Sequence, residues 1–577
     1  MHALLPDQIA TDRALGDLYT AGFIRERRRV PELEHVFKHA LVHDAAYESI
    51  LLQQRRQLHR LVAMTIEREY ADRVDDFFSV LAFQFANAEE WGKAWEYLIK
   101  AGDQAVRIAA DAEALALYRE AFAAHERAFG EGWEPEERGV LEGKMGEALL
   151  RRGVHFEARD HLERSLTYLG RPFPRGRSGV RVAVLGHALR QAGHRLTPIF
   201  FRAKPAAHIE EVIRTSETMS WIDFFADPER FVLTALRALN YSEEAGYVFG
   251  TAYGSTAIGF VCSALPQHRM AGWYFRRALP IAEHSGHPLA IGLAYTGLGY
   301  HAQHALGDHG AASAYYEKAT SAYRQSGDLW RWSPPASLWS QLLRYLGETD
   351  RAVRMAEEIV RAGEEGGDAV MRMTGLLRHG CALMQAGDLD RAESALRATI
   401  ELGERIPDYQ HLVCAQGFLG AALLHRARVN EATRLLEDAA ALAARHRVRT
   451  FYATQARISL AEAYLSTAEA GDAAAMGKAR SAVKRCMSQG RIDIEARPPA
   501  FRVKGTLCWL NGRREEARIA WDRSLAWARD TGGRYDEGLT LLEIGRRTGD
   551  RHAIERAGTV FEEIGARARL QQALAVV

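Results

Sequence analysis

Gly347-Glu348-Thr349-Asp350-Arg351-Ala352 is followed, forty residues later, by Gly387-Asp388-Leu389-Asp390-Arg391-Ala392. The same frame, in which a glycine stands five residues before an alanine, is present or partly present at further positions: Gly307 with Ala312, Gly512 with Ala517, and Ala432. A fixed period of this length indicates an internal repeat, in which each unit is one supersecondary element stacked on the next.

Each anchor alanine is followed by a helical pattern. The residue at +4 is bulky and apolar and the residue at +7 is small or apolar, as in Ala312, Tyr316 and Ala319. These positions share one face of a helix. The small residues on that face let a neighbouring helix approach closely, and the bulky residue fills the space between the two helices. The glycine lies in a turn, because it tolerates a positive φ. A lone helical hairpin cannot bury such a face, so stacking of hairpins is predicted.

The predicted fold class is therefore all-α. The repeat resembles the tetratricopeptide repeat, in a longer form of about 40 residues, and implies a superhelical solenoid of helical hairpins. The predicted divisions are a winged-helix-like segment at 1–70, a first helical repeat block at 71–170, a basic linker at 171–210 and a tetratricopeptide-like superhelix at 211–577.

Composition excludes several classes of protein. The chain has 577 residues, 75 Lys and Arg, 74 Asp and Glu, and a formal net charge of +1, which argues against a whole-molecule field that holds nucleic acid. Its five cysteines are scattered without C-x-x-C spacing, so neither a disulfide framework nor a cysteine zinc site is predicted, and a reducing, cytoplasmic location is expected. No apolar run approaches the ~20 residues of a spanning helix, so membrane insertion is not expected.

The linker has an unusual charge pattern. Residues 171–208 contain eight Lys and Arg and no Asp or Glu, and four prolines punctuate them. An amphipathic helix is predicted in the middle, with one apolar face formed by Val184, Leu185, Ala188, Leu189, Ala192 and Leu196. The favoured interpretation is a connector helix that packs this face on the solenoid. The alternative is a basic surface that docks on an acidic partner or an anionic lipid surface.

The N-terminal segment carries a second resemblance. The run Phe37–Leu51 (FKHALVHDAAYESIL), followed by Arg55-Arg56 and Leu58-His59, resembles the winged-helix segment after the ATPase core of bacterial STAND-type AAA ATPases. Such proteins are often fused to class III adenylate/guanylate cyclases or protein kinases and end in tetratricopeptide repeats. The resemblance continues through Leu236–Asn240 to Glu243–Gly246. It implies a winged helix.

A short β-hairpin is the only strand structure predicted. Ile24–Arg27 and Glu34–Phe37 flank a turn at Val30-Pro31 and can pair as the wing. The resemblance also implies that His39, with Lys38 beside it, corresponds to a histidine that contacts the phosphate of ADP in the resting state.

A P-loop, G-x-x-x-x-G-K-[ST], is absent from the sequence. We therefore expect no ATPase or cyclase activity, no cofactor, and a chain that corresponds to the carboxyl-terminal regulatory part of such a protein. The leading hypothesis is a non-catalytic interaction and sensor module that binds a protein, peptide or effector. One alternative is a regulatory part that acts with a separate ATPase or cyclase polypeptide. A DNA-binding winged-helix regulator is disfavoured, because basic and acidic residues balance in the N-terminal segment.

Two groups of histidines have spacings reminiscent of metal sites. His39 and His43 are four apart, but the glutamate of H-E-x-x-H is missing between them. His301, His304 and His309 fall on a repeat helix and its turn. We predict structural roles for both groups, and therefore no metal site.

A tryptophan-rich segment supplies the partner-binding candidates. Three of the eleven tryptophans fall within ten residues, and Trp and Arg dominate recognition hot spots. The candidates are Trp330, Arg331, Arg344 and Tyr345. We expect Pro334-Pro335 to open a helix, with Trp332 and Trp339 packed against adjoining repeats. Trp330 and Arg331 would then lie exposed in the preceding turn.

Overall fold

The computed structural model describes residues 8–28, 34–107, 110–130, 132–196, 206–265, 267–406, 408–448 and 451–575. Within these ranges the chain forms 28 α-helices and one two-stranded sheet. It divides into two compact units, Met1–Ala148 and Leu149–Val577. In the described part of the chain, no helix combines the length and hydropathy needed to cross a bilayer.

The first unit contains the predicted hairpin. Its elements are α1 (Gln8–Thr20), β1 (Ile24–Arg28), β2 (Glu34–Phe37), α2 (Ala40–Ser49), α3 (Leu52–Glu69), α4 (Phe78–Asn87), α5 (Trp91–Arg107), α6 (Asp111–Phe129) and α7 (Pro135–Arg151), within which the second unit begins. The two strands pair antiparallel, with Ile24 opposite Phe37. The predicted strand pairing is confirmed, and its turn at Val30-Pro31 lies outside the described residues.

The second unit is a succession of helices. They are α8 (His155–Tyr168), α9 (Gly176–Leu196), α10 (Ile209–Ala226), α11 (Pro228–Ala245), α12 (Val248–Ala264), α13 (His268–Ser285), α14 (Pro288–His301), α15 (His309–Ser326), α16 (Leu329–Tyr345), α17 (Thr349–Glu365), α18 (Ala369–Ala386), α19 (Leu389–Arg405), α20 (Tyr409–His425), α21 (Val429–Arg445), α22 (Thr454–Glu469), α23 (Ala473–Gln489), α24 (Arg497–Leu510), α25 (Arg514–Asp530), α26 (Arg534–Thr548), α27 (Arg551–Glu563) and α28 (Arg567–Leu574).

From α10 onward consecutive helices of this unit pack as hairpins, and the hairpins stack. Each even-numbered helix from α10 to α24 also packs against the next even-numbered helix. The even-numbered helices therefore form a continuous inner layer, and the odd-numbered helices α13 to α27 form an outer layer with one exposed polar face. The predicted solenoid of helical hairpins is confirmed.

The repeat anchors lie at buried helical positions and in left-handed turns. Ala312, Ala352, Ala392, Ala432 and Ala517 are all completely buried. The turn glycines Gly307, Gly347, Gly387 and Gly512 have φ angles between 71° and 92°. In the repeat of Ala432 the equivalent turn residue is Ala427, whose φ of 56° keeps the left-handed turn without a glycine.

Inner-layer glycines receive the bulky outer-layer side chains. A Cβ at Gly420 of α20 would lie 2.5 Å from Cδ2 of Leu436, and a Cβ at Gly299 of α14 would lie 2.6 Å from the ring of Tyr316. The two helices of a hairpin therefore approach more closely than alanine would allow. The sequence frame did not single out these glycines.

The superhelix also brings distant repeats into contact. The turn at Gly347 packs on Ile564, and the turn at Gly387 packs on Ala568. Near Gly307, the Gln303 amide donates to Glu495, which is 192 positions further along the chain. His309 likewise bonds the backbone carbonyl of Thr531, which is 222 positions further along. The turns before the outer helices thus close against the next turn of the superhelix.

Helix α9 forms as predicted, but the prediction of its packing face is wrong. Leu185, Leu189 and Leu196 are exposed, and the buried residues are Val180, Gln191 and His194. Of the predicted face only Val184 packs on the core. The docked side of α9 combines Val180 and Val184 with polar residues that pair with carboxylates of α11.

Candidate functional site

A polar cavity of about 320 Å³ opens on the inner layer of the second unit. Its walls come from the inner helices α16 to α26 and from α28. Six arginines line it: Arg344, Arg378, Arg502, Arg546, Arg547 and Arg569. Because α16 and α26 are far apart in sequence, the cavity exists only once the superhelix has formed.

Two of these arginines are neutralised within the wall. The guanidinium of Arg502 is 2.5 Å from Glu462, and that of Arg547 is 3.0 Å from Glu543. Each of these guanidinium groups therefore has a carboxylate partner within the wall.

Three others have uncharged partners. Arg344 donates to the Gln385 amide at 3.2 Å, Arg378 to the Ser337 hydroxyl at 2.8 Å, and Arg569 to Gln572. Within the described residues, no carboxylate lies in ion-pair contact with any of the three. We call Arg344, Arg378 and Arg569 the arginine triad. Their guanidinium groups line the cavity without a direct carboxylate partner in the described chain; Arg378 is buried, and the charge of Arg344 also acts on Asp536.

Six acidic residues also line this cavity: Glu462, Glu469, Asp493, Glu495, Asp536 and Glu543. Burial raises the pKa of Asp536 to about 6, and the charges of Arg502 and Arg344 oppose that rise. Its carboxylate is 3.8 Å from the guanidinium of Arg502. The charge of the cavity therefore changes near neutral pH.

Arg344 and Tyr345, two of the predicted contact residues, both line the polar cavity. Arg344 lies over the ring of Phe418 at 5.1 Å. Tyr345 is buried, and its hydroxyl is 2.6 Å from Oγ1 of Thr531, which fixes the ring in the wall. Of the two, Arg344 has the freer polar group.

A second, aromatic cavity of about 150 Å³ lies beside the first. Its aromatic lining comprises Trp221, Phe224, Phe225, Phe231, Tyr253, Phe260, Tyr300, Trp330, Phe451 and Tyr452. Trp330 meets Trp221 edge to face at 5.1 Å. Phe451 borders both cavities, so the polar and aromatic cavities are neighbours on one surface.

The expected exposure of Trp330 and Arg331 is wrong. Helix α16 begins at Leu329, because the Asp328 side chain accepts a hydrogen bond from the Arg331 N–H at 2.9 Å and caps the helix before the two prolines. Pro334-Pro335 lie inside the helix. Trp330 is consequently half-buried in the aromatic cavity.

Arg331 is a wall residue. Its guanidinium forms two hydrogen bonds with the buried carboxylate of Glu217, at 2.9 and 3.1 Å, and a further ion pair with Asp328. Trp332 is 1% exposed, as predicted, and Trp339 is half-buried with its indole N–H donating to Ser313. The guanidinium of Arg331 is therefore engaged within the wall of the aromatic cavity, and its role as a partner contact stays a prediction.

Two histidines of the predicted cluster form buried ion pairs. His304, in a π-helical turn, lies 3.1 Å from Asp493, and His309 Nε2 lies 3.3 Å from Glu495. Burial lowers the pKa of His309, but the hydrogen bond to Glu495 and its charge outweigh burial, so the pKa is raised. Burial raises the pKa of Glu495, and His309 and His304 reverse this, so its pKa is lowered. We call these four residues the histidine–carboxylate clasp.

The clasp contains the donor types of a metal site. Nitrogen and oxygen atoms of His304, Asp493 and Glu495 lie within 4.8 Å of one another, and all three residues are buried. All three already have protein partners. His304 and Asp493 bond each other, and Glu495 accepts a hydrogen bond from the Gln303 amide at 3.0 Å. His301 faces elsewhere, against Phe275, where burial lowers its pKa to about 4.

The predicted phosphate contact residues lie in the first unit. His39 is the exposed N-cap residue of α2, and Lys38 is exposed beside it. His43 bonds to Asp44, and the cluster of ligand-type residues found in the described chain contains neither His39 nor His43. Lys38 and His39 are therefore accessible in the first unit, and their contact with a phosphate stays a prediction.

Comparison with known proteins supports the fold. A tetratricopeptide repeat model matches residues 291–326, which contain α15 and most of α14. No curated protein sequence matches the chain. The fold is that of a tetratricopeptide-like helical solenoid.

Three solved structures illustrate the likeness. A Rap protein complexed with competence and sporulation factor has a TM-score of 0.44 and 12% identity, over 68% of this chain and 99% of that one. The Cut9–Hcn1 hetero-tetramer of the APC/C has a TM-score of 0.42 and 12% identity, over 87% and 92%. A STAND protein with a tetratricopeptide repeat sensor from Pyrococcus horikoshii has a TM-score of 0.35 and 13% identity, over 72% and 56%.

Proposed function

We propose that this chain is a non-catalytic interaction and sensor module that binds an extended peptide or protein segment on the inner layer of its second unit. The observation that carries the proposal is the arginine triad, which lines a cavity without carboxylate partners and lies next to an aromatic cavity. Tetratricopeptide-like solenoids use such concave surfaces for binding.

The chemistry of the two cavities defines the ligand. A carboxylate, from an acidic side chain or a chain terminus, fits the arginine triad, because guanidinium groups bind carboxylates in a bidentate geometry. An aromatic or branched aliphatic side chain fits beside Trp330 and Trp221. We therefore propose that the preferred segment combines an acidic group with a nearby apolar side chain.

A selection experiment tests this proposal. Random peptides displayed on phage are selected on the immobilised full chain, and the selected sequences are then bound to variants. We expect enrichment of acidic and aromatic residues, and loss of binding in Arg344→Ala and Arg569→Ala. Arg354→Ala, on the outer face of α17, is the matched control because its side chain is exposed away from the cavities. Selected peptides that bind all variants equally would refute the proposed site.

A finer proposal concerns signalling. We propose that the module regulates a STAND-type ATPase or a cyclase encoded on the same or a separate polypeptide in the cytoplasm. Two features of the first unit support this regulatory role: the sequence FKHALVHDAAYESIL at residues 37–51 and the β1–β2 hairpin that precedes α2. Co-purification of the chain with a P-loop polypeptide supports the proposal, and ATP hydrolysis by that complex should change when Lys38 and His39 are both replaced by alanine. Unchanged hydrolysis would contradict it.

A further inference from the structure

Helix α9 presents an aliphatic stripe to solvent. Val182, Leu185, Leu189 and Leu196 are 73%, 63%, 66% and 81% exposed. With 3.6 residues per turn, these four side chains share one face of the helix, opposite the buried Val180, Gln191 and His194. Large aliphatic side chains aligned in this way on a folded protein mark an interaction surface.

The opposite face of α9 is held by charge. His194 Nδ1 is 2.7 Å from Glu243, Arg190 donates to Glu244 at 2.7 Å, and Arg181 is bidentate to Glu229. All three carboxylates belong to α11, on the docked side. The orientation of the stripe is therefore fixed by several ion pairs, and the leucines are directed outward by the fold.

The surroundings of the stripe are cationic. The described residues 171–196 contain six arginines and no acidic residue. By helical geometry Arg181 borders the stripe, and Arg177 and Arg195 lie further round the same side of α9. Arg181 and Arg190 are paired with Glu229 and Glu244 of α11, so Arg177 and Arg195 are the cations outside these ion pairs. Arg195 stacks on Trp273 at 4.1 Å, and Arg177 is exposed. An aliphatic face bordered by arginines is the pattern of a helix that lies in a lipid interface.

We propose that α9 docks the protein on an anionic lipid surface, with the aliphatic stripe in the headgroup boundary and with Arg177 and Arg195 among the headgroups. Each arginine near such a surface adds attraction to anionic lipid. A second copy of the chain is a poorer occupant, because a two-fold contact between stripes would bring the arginines of both copies together. A protein partner is also poorer, because the stripe has no aromatic anchor and no concave pocket.

Vesicle sedimentation tests the proposal on the full chain. Vesicles of phosphatidylcholine alone are compared with vesicles that also contain phosphatidylglycerol. We expect binding to the anionic vesicles, and a roughly tenfold or greater loss of partitioning in the double variant Leu185→Asp, Leu189→Asp. Arg177→Gln should weaken partitioning about fivefold. Phe156→Asp, at a residue 69% exposed on α8, is the matched control and should bind as the unmodified chain does.

Three results would overturn the proposal. One is the absence of binding to anionic vesicles; another is equal partitioning of the Leu185→Asp, Leu189→Asp variant when circular dichroism shows that it is folded. The third is a self-associating chain in sedimentation velocity that the double variant converts to monomer without any vesicle binding, which would assign the stripe to a second copy.

Discussion

His309 Nε2 lies 3.3 Å from the Glu495 carboxylate, although the two residues belong to different turns of the superhelix. His304 and Asp493 make the parallel contact at 3.1 Å, between residues 189 positions apart. These buried pairs join the α14–α15 connection to the segment before α24, which carries part of the wall of the polar cavity. The clasp therefore couples the closure of the superhelix to the shape of the proposed binding surface.

The clasp should make stability depend on pH. Because the pKa of His309 is raised in the folded state, His309 stabilises the fold at pH values below the ordinary histidine pKa. This stabilisation is lost as the pH rises through the pKa that His309 has in the folded state. Because the pKa of Glu495 is lowered in the folded state, Glu495 stabilises the fold at pH values above the ordinary glutamate pKa. This stabilisation is lost as the pH falls through the pKa that Glu495 has in the folded state. The pair therefore contributes most between the two ordinary values, about pH 4.5 to 6.5.

Replacement of Glu495 by glutamine tests that window. We expect a loss of about 3 kcal/mol in the free energy of unfolding near pH 5.5 and a smaller loss near pH 9, measured by urea denaturation at both pH values. Glu401→Gln, in an exposed pair with Arg405, should cost below about 0.5 kcal/mol. A pH-independent effect of Glu495→Gln would contradict the ionic role of the clasp.

The effect of Asp536 on stability is predicted to depend on pH in the sense opposite to that of Glu495. Because burial raises its pKa to about 6, the advantage of the folded state is present at low pH and is lost as the pH rises through that value. Asp536→Asn should therefore increase the free energy of unfolding by ~1 to 3 kcal/mol near pH 8 and by little near pH 4. Thermal melts at both values measure this, and destabilisation at pH 8 would show that the carboxylate is needed by its arginine neighbours.

Close helix approach at an inner-layer glycine gives a paired prediction. Gly420→Ala should destabilise the protein by ~1 to 3 kcal/mol, because the added methyl group would overlap Leu436. Gly477→Ala, at an exposed helical site with nothing within 4 Å, should stabilise it by ~0.5 to 1 kcal/mol. Denaturation curves compare the two, and effects of the same sign would refute this account of hairpin packing.

Arg331→Ala should destabilise the fold. Removal of the guanidinium leaves Glu217 buried without its bidentate partner, and the expected loss is about 3 kcal/mol. Arg351→Ala, in an exposed pair with Glu348, is the matched control and should cost below about 1 kcal/mol. If Arg331→Ala instead kept full stability and lost only partner binding, Arg331 would be a contact residue.

The sequence predicts local structure well because local structure depends on neighbouring residues. The turn at Gly387 and the buried Ala392 follow from a periodic pattern that helix geometry explains. Contacts between turns of the superhelix, such as His304 with Asp493, join residues that no local pattern relates. Arg344, Tyr345 and Trp330, which the sequence singles out, line the two cavities, but the cavities themselves depend on contacts that no local pattern shows.

Helix α9 shows a different limit. Its apolar face can be assigned from the sequence, but which face docks depends on the carboxylates that α11 supplies. The prolines at 334 and 335 mark a helix start by preference, yet Asp328 caps α16 earlier. In both cases a specific polar partner outweighed the general tendency of the residues.

The arginine triad is proposed to bind an anionic segment on the inner layer. Calorimetric titration of a selected acidic peptide into the unmodified chain, and into the Arg344→Ala, Arg569→Ala variant, tests it most directly. Hydrogen bonds to charged groups contribute ~1.5 to 3 kcal/mol each, so the variant should bind at least about tenfold more weakly while its circular dichroism is unchanged. Equal affinity of the two proteins for the peptide would contradict the claim.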